Sequence, residues 1–248
     1  MMNFKTLTAG LLTTTFAVAA VDAASLNYGD FVSTNVTFEQ VTESSSSPLP
    51  LLGAPTTADD ALIFTPITFG AEANNGVPSS DIVDAQLRTQ VTSNAGIGID
   101  TITINEAGDY TLIGVPGAFA LASVSAPVFI DIIEVDGVAV DGPELITDLF
   151  IAPGSGVYDL GTDGLSIGVV WTGNLTVDIA QLAADNGITG NVTGVDITFD
   201  NTLSAASGAG ASAIIKKKQA EIEVTLVPEP ASAALLALGL AGLARRRG

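Results

Sequence analysis

Val83, Ala85, Leu87, Thr89 and Val91 alternate with Asp84, Gln86, Arg88, Gln90 and Thr92 without a break. A side-chain period of two belongs to an extended strand, so this segment predicts a strand with one dry and one wet face. The pattern returns late in the chain, where Ala220, Ile222, Val224 and Leu226 oppose Glu221, Glu223 and Thr225. A strand that is dry on one side must bury that side against a second layer. Further strand candidates are Phe31 to Val41, Ala61 to Phe69, Ile97 to Ile104, Tyr110 to Val115, Ala118 to Val124 and Val128 to Val135. Others are Val138 to Val140, Leu145 to Ile151, Leu165 to Thr172, Leu175 to Gln181 and Val192 to Leu203. Asp136-Gly137 predicts a two-residue hairpin turn, because both central positions need positive φ, and Gly173-Asn174 predicts another. Only Ile179 to Asn186 suits a helical turn. The expected fold is all-β, an antiparallel β-sandwich with jelly-roll-like connections.

Two stretches interrupt the strands. Ser44 to Pro55, SSSSPLPLLGAP, is too rich in Ser and Pro for an interior strand, and Ser204 to Ser212, SAASGAGAS, reads as a small-residue linker. Both are expected on the surface, the first with the alternative of folding Leu49, Leu51 and Leu52 back as a cap over a sheet end. Lys216-Lys217-Lys218 interrupts an acidic chain just before the final strand. Its economical reading is protection of a sheet edge, since lysines there discourage edge-to-edge association. Contact with an acidic polysaccharide is the alternative.

Both ends of the chain look like addresses. Lys5 precedes an uncharged stretch from Thr6 to Val21, and Val21 and Ala23 are small residues where a signal peptidase inspects the chain. Residues 1–23 are expected to be a signal peptide cleaved after Ala23. At the other end, Pro228-Glu229-Pro230 precedes an uncharged run from Ala231 to Ala244, followed by Arg245, Arg246 and Arg247. Two prolines one residue apart resist helix and strand alike and keep a short segment open to an enzyme. The arginines are costly to translocate, so they hold their end on the cytoplasmic side and leave the body outside. The apolar run of 14 residues spans roughly 21 Å as a helix, short of the roughly 30 Å hydrocarbon core, which favours a transient hydrophobic segment over a permanent anchor.

This arrangement resembles the PEP-CTERM sorting signal of exported bacterial proteins. The resemblance implies that an integral-membrane, transpeptidase-like enzyme, the exosortase, cuts near the Pro-Glu-Pro motif and releases or transfers the protein to the cell surface. It places residues 228–248 as the sorting signal, with membrane contact only through that segment before processing, and residues 24–227 as one extracellular domain. YGDFVSTNVTFEQVTE from Tyr28 to Glu43, DALIFTPITFG from Asp60 to Gly70 and EAGDYTL from Glu106 to Leu112 are similar to segments of other proteins with this signal. That similarity implies an exported β-rich body and transfers no catalytic residue.

The chain has 27 acidic and 8 basic side chains. Asp22, Glu229, Lys5 and the three terminal arginines lie outside residues 24–227, leaving 25 acidic against 4 basic groups there, a net charge of −21. Nucleic acid and anionic lipid need a basic footprint to replace their counterions, so binding to nucleic acid is excluded. Histidine and cysteine are both absent. Ser-His-Asp and Cys-His catalysis is therefore excluded, as are the usual imidazole-based metal sites. Carboxylates and oxygen-ligand ions remain.

Asp131 with Glu134, or Glu221 with Glu223, offers the carboxylate pair a glycosidase needs, but with so many acidic residues such pairs arise by chance. Trp171, the only tryptophan, follows two valines and reads as a core or rim residue rather than a sugar platform. Calcium is the more credible ligand, since the loops Asp159-Leu160-Gly161-Thr162-Asp163-Gly164 and Asp136-Gly137 with Asp141-Gly142 offer carboxylates and bare carbonyls together, although Asp-Gly is also common turn chemistry. The expectation is a non-catalytic body with no cofactor, at the cell surface or in the extracellular matrix, with the exosortase and possible extracellular polysaccharide as partners. The alternative is a carbohydrate-binding or carbohydrate-modifying module on a sandwich scaffold.

Overall fold

A computed structural model describes residues 24–227. Ala23, Pro228, Glu229, Pro230, Arg245, Arg246 and Arg247 lie outside the described residues, as do the proposed signal peptide and sorting segment. The strands are β1 (Ala24–Val32), β2 (Val36–Ser45), β3 (Thr56–Ala58), β4 (Ala61–Phe64), β5 (Gly70–Asn74), β6 (Ser80–Ser93), β7 (Ile99–Gly114) and β8 (Ala120–Ser125). They continue as β9 (Pro127–Val135), β10 (Val138–Ala139), β11 (Glu144–Asp148), β12 (Phe150–Ala152), β13 (Val157–Asp159), β14 (Ser166–Asp178), β15 (Val192–Ser207) and β16 (Ala211–Leu226). Two short helices, α1 (Leu160–Asp163) and α2 (Ile179–Asp185), begin at Asp159 and Asp178. Each of these aspartates caps its helix by accepting a backbone N–H.

The strands form two antiparallel sheets packed as a sandwich, the fold class the alternation predicts. One sheet runs β1-β2-β6-β15-β8-β13, with β9 beside the first half of β15 and carrying β10 and β11. The other runs β12-β14-β7-β16-β4-β3, with β5 also on β16. Strands β6, β7 and β8 alternate between the sheets, and so do β14, β15 and β16, as expected of jelly-roll-like connections.

The core lies between the inner faces. Ala85, Leu87, Thr89 and Val91 of β6 are buried, and Asp84, Gln86 and Arg88 are exposed. Phe199 and Leu203 of β15 face inward with them, against Ile102, Ile104 and Leu112 of β7, Trp171 of β14 and Ile222 of β16. Trp171 is thus a core residue. Asp136-Gly137 turns as expected: both have positive φ, and Val138 pairs with Val135.

Several local expectations give way. Gly173-Asn174 is no turn, since β14 runs straight through it, pairing Gly173 with Glu106 and Asn174 with Asn105. Its glycine serves packing: a Cβ there would lie 2.8 Å from Leu149 and 2.9 Å from Ile151. Ser204 to Ser212 is no linker. It ends β15, turns at Gly208–Gly210 and begins β16, with Ala205, Ser207, Ala211 and Ala213 buried. Ile97 to Ile104 and Tyr110 to Val115 join into the single strand β7, whereas Leu145 to Ile151 divides between β11 and β12 in different sheets. Phe31 to Val41 likewise divides between β1 and β2.

The Ser- and Pro-rich stretch does fold back. Leu51 and Leu52 are buried while Leu49 is exposed. The buried Glu43 carboxylate holds them, accepting N–H bonds from Leu51 at 2.5 Å, Leu52 at 3.0 Å and Gly53 at 3.1 Å. The Tyr28 hydroxyl donates to the same group at 2.6 Å.

Candidate functional site

β16 is not an edge strand. It lies between β7 and the pair β4 and β5, so Lys216, Lys217 and Lys218 protect no edge. Its inward phase is set first by Ala211, Ala213 and Ile215, which puts Lys217 inward too. A bulge then intervenes: Lys217 pairs with Gly108 and Gln219 with Ala107, leaving Lys218 as the extra residue. Beyond it the inward phase passes to Ala220, Ile222 and Val224. Lys218 reaches Asp109 on the outside, so the triplet does not present three free charges to a polyanion.

Inside the sandwich, Lys217 Nζ contacts both Glu106 Oε1 and Asn201 Oδ1. Glu106 lies inward on β7 beside Ile104, and Asn201 lies inward on β15 between Phe199 and Leu203, so the two sheets meet at this cluster. The side chains of Lys217 and Glu106 are both 0% exposed. Three aromatic rings surround the amine, with Nζ 5.2 Å from the Phe199 ring centre, 5.4 Å from Phe69 and 6.0 Å from Trp171. Gly108 makes the room. A Cβ at that position would collide with the Lys216 carbonyl oxygen and lie 2.5 Å from the Trp171 indole.

Charge is expensive in such a place. Burial drives the Lys217 ammonium down to about 8, against the opposing pull of Glu106. It also raises the Glu106 carboxyl above the carboxylate range, against Lys217 and Asn201. Both shifts favour the uncharged pair. Among the described residues, Glu106 Oε2, Asn201 Nδ2 and Trp171 Nε1 find no partner at full hydrogen-bond geometry. The arrangement therefore brings an amine, a carboxyl group and a primary amide together in a water-poor enclosure. Sequence reading assigned no role to Glu106 or Asn201 and gave Lys217, with its two neighbours, to protection of a sheet edge.

The other candidates do not assemble. Glu134 accepts from Thr193 at 2.7 Å, while Asp131 lies opposite Asp196 and Glu144 on neighbouring strands. Arg88 bridges to Asp196 at 2.7 Å. Burial and the charges of Glu144 and Asp196 raise the Asp131 carboxyl, with Arg88 opposing. Glu221 and Glu223 lie on the wet side of β16, opposite in phase to its buried residues. Among the described residues no group of three or more acidic side chains is placed to hold a metal ion. In the suggested calcium loops, Asp159 and Asp163 accept backbone N–H bonds from Gly161 and Asp159, and Asp136 accepts from Asn191. An open cleft of about 610 Å³ lies beside α1, lined by Val115, Phe119, Leu160 and Leu165. Among the described residues no helix is long and apolar enough to cross a membrane.

The family model of the PEP-CTERM protein-sorting motif matches residues 226–247. The C-terminus therefore carries the sorting motif of an exported protein handled by an exosortase-type enzyme. No curated protein matches the chain. Among solved structures, the enzymatically active domain of bacteriophage CBA120 tailspike protein 4 is 10% identical at a TM-score of 0.24, covering 83% of this chain and 20% of its own. TmCBM61, solved with beta-1,4-galactotriose, is 9% identical at a TM-score of 0.22, covering 64% of this chain and 86% of its own. A family 12 xyloglucanase from Bacillus licheniformis is 8% identical at a TM-score of 0.21, covering 83% of this chain and 100% of its own. Likenesses this distant carry no inference about this chain.

Proposed function

We propose that the body is a non-catalytic protein of the cell surface or extracellular matrix, retained in or on extracellular polysaccharide after C-terminal processing. The observation that carries this reading is the sorting motif at residues 226–247. The junction suits removal of that motif. β16 ends at Leu226, and the Val227 N–H closes on the Gly98 carbonyl at 2.8 Å, so the strand pairing of the described residues ends before Pro228. The acidic exterior fits a solvated extracellular protein. The ionisable groups furthest from water, Lys217 and Glu106, face each other rather than the open cleft, which supports a non-catalytic body.

Mass spectrometry of protein recovered from the cell surface tests the processing. The mature chain is expected to lack Ala231 to Gly248, and replacing Glu229 or deleting Arg245 to Arg247 is expected to leave a membrane-held, unprocessed form. Recovery of mature protein that retains its terminal arginines would refute the assignment. A carbohydrate-binding module is the second reading, favoured by the cleft in which half-exposed Phe119 offers a ring for sugar stacking. Retardation in gels cast with the producing cell's polysaccharide, lost in Phe119→Ala, selects that reading over passive retention.

A further inference from the structure

We propose that Lys217 and Asn201 become covalently joined, the Lys217 amine attacking the Asn201 side-chain amide to form an internal cross-link between β16 and β15, with Glu106 as the catalytic acid and base. The cross-link ties one sheet of the sandwich to the other. It rests on the Lys217 cluster and not on the sorting assignment.

The reaction has three requirements, and the cluster meets each. First, the nucleophile and the carbonyl carbon must be held together, which turns a slow bimolecular aminolysis into a step within one molecule. Lys217 Nζ touches the Asn201 amide oxygen, and the strands fix both side chains on facing inner surfaces. Second, the amine must be uncharged, because an ammonium has no lone pair to donate. Burial among Phe69, Trp171 and Phe199 disfavours the charged form, a recognised way of activating a lysine. Third, protons must move from the attacking to the departing nitrogen. Glu106 touches Nζ, and its second oxygen has no other hydrogen-bond partner.

The step balances without any further reactant. Lys217 first passes its extra proton to Glu106, leaving an amine and a carboxylic acid. Nζ adds to Cγ of Asn201, while the Glu106 acid hydrogen-bonds and polarises the amide. One proton leaves Nζ for the carboxyl group, and one goes from the carboxyl group to Nδ2. The Nζ–Cγ bond has formed, the Cγ–Nδ2 bond breaks, and ammonia departs. Nδ2 approaches the Glu106 carboxyl without a well-formed hydrogen bond, so its departure sacrifices little and removes a poorly satisfied buried donor. A permanent salt bridge would instead leave Oε2, Nδ2 and the Trp171 N–H without partners around a desolvated charge pair.

Peptide mapping of the folded full chain decides between the two. Cleavage after acidic residues releases Asn201 to Glu221 as one peptide, because no Asp or Glu lies between Asp200 and Glu221. The expected mass is lower than the sequence mass by one ammonia. An internal imide at Asn201 would show the same deficit, so trypsin is applied next. In the cross-linked peptide, cleavage after Lys216 leaves the two pieces joined, and Lys217 resists cleavage. An imide or an unmodified peptide separates fully. Complete separation of the wild-type peptide overturns the proposal. Asn201→Ala is expected to restore cleavage after Lys217. Glu106→Gln, shown to be folded by circular dichroism, is expected to leave the peptide unlinked, and cross-linking in that variant would overturn the role of Glu106. If Glu106→Gln does not fold, Asn201→Asp serves instead: it should give the same branched product with loss of water, and failure to do so while folded would count against acid-assisted attack.

Discussion

Replacing Glu43 by Ala removes the group that makes the most hydrogen bonds to the folded-back Ser- and Pro-rich stretch. Its carboxylate accepts three consecutive backbone N–H bonds, from Leu51, Leu52 and Gly53, and the Tyr28 hydroxyl as a fourth. Leu51 and Leu52 are buried, so their N–H groups find no water when the acceptor is lost. Each buried orphan costs about 1–3 kcal/mol, while Gly53 and Tyr28, nearer the surface, can be rehydrated. The loss is then about 3–5 kcal/mol after partial relaxation. For a domain of this size, about 2–4 °C of melting temperature per kcal/mol makes that a fall of roughly 6–20 °C. Thermal unfolding by circular dichroism measures it. Limited proteolysis should show earlier nicking between Leu49 and Gly53 in the variant. Glu43→Gln should lose clearly less, because one amide oxygen still accepts from both Leu51 and Leu52 and only the Gly53 and Tyr28 bonds meet the new NH₂. A melting point within about 2 °C of wild type would refute the reasoning and show that the two leucines hold the loop unaided.

Gly108→Ala should destabilise by at least about 3 kcal/mol in chemical denaturation, since the added methyl meets backbone and the Trp171 ring rather than a flexible chain end. Asp131→Asn should raise the melting temperature near neutral pH: the carboxyl is held above its ordinary value by burial, Glu144 and Asp196, so its ionised form costs the fold stability. That cost vanishes below the unfolded carboxyl value of about 3.9, so variant and wild type should melt together once the pH is well under it. Millimolar calcium and sodium at matched ionic strength should shift the melting point equally, because the loop carboxylates of Asp136, Asp159 and Asp163 already bind backbone N–H groups. A separate calcium increment of several degrees would reveal a bound ion.

Strand phase carried most of what the sequence could say. β6 and the end of β16 were legible because their dry and wet residues differ in chemistry, and Asp136-Gly137 because its turn needs two positive φ angles. Composition misled where small residues serve packing instead of flexibility, as at Gly173 under Leu149 and Ile151 and at Ala205 to Ala213 across the β15–β16 hairpin. The buried cluster left a readable trace. Ala211, Ala213 and Ile215 occupy odd positions, whereas Ala220, Ile222 and Val224 occupy even ones. Two phases in one strand require an extra residue between them, and only the stretch from Lys216 to Gln219 can hold it. Continuing the odd phase places Lys217 inward. Assigning the triplet to a sheet edge concealed this, because an edge strand leaves no second sheet for Lys217 to meet. Glu106 and Asn201 likewise share the inward phases of Ile102 and Ile104 and of Phe199 and Leu203. The sequence could place all three inward, but which of them meet depends on how the sheets stack, and that is set by the whole core.

The cluster also bears on how an exported sandwich without cysteine can be held closed. With no thiol in the chain, disulfides between the sheets are unavailable. A Lys217–Asn201 bond supplies the same kind of constraint from groups that no cellular reductant can open. It spans a separation of 16 residues, and a cross-link closing a loop of that length stabilises by about 3 kcal/mol through the entropy it removes from the unfolded chain. It also replaces a buried ammonium with a neutral amide, lifting the desolvation cost that an ion pair at this position would carry through every folding cycle. The gain is largest in kinetic terms. β15 and β16 lie at the centre of their respective sheets, so a bond between them resists separation of the sheets at the middle of their shared core. The wall of aromatic rings is then explained twice over: before the bond forms it disfavours the charged amine, and afterwards it keeps water from the carbonyl.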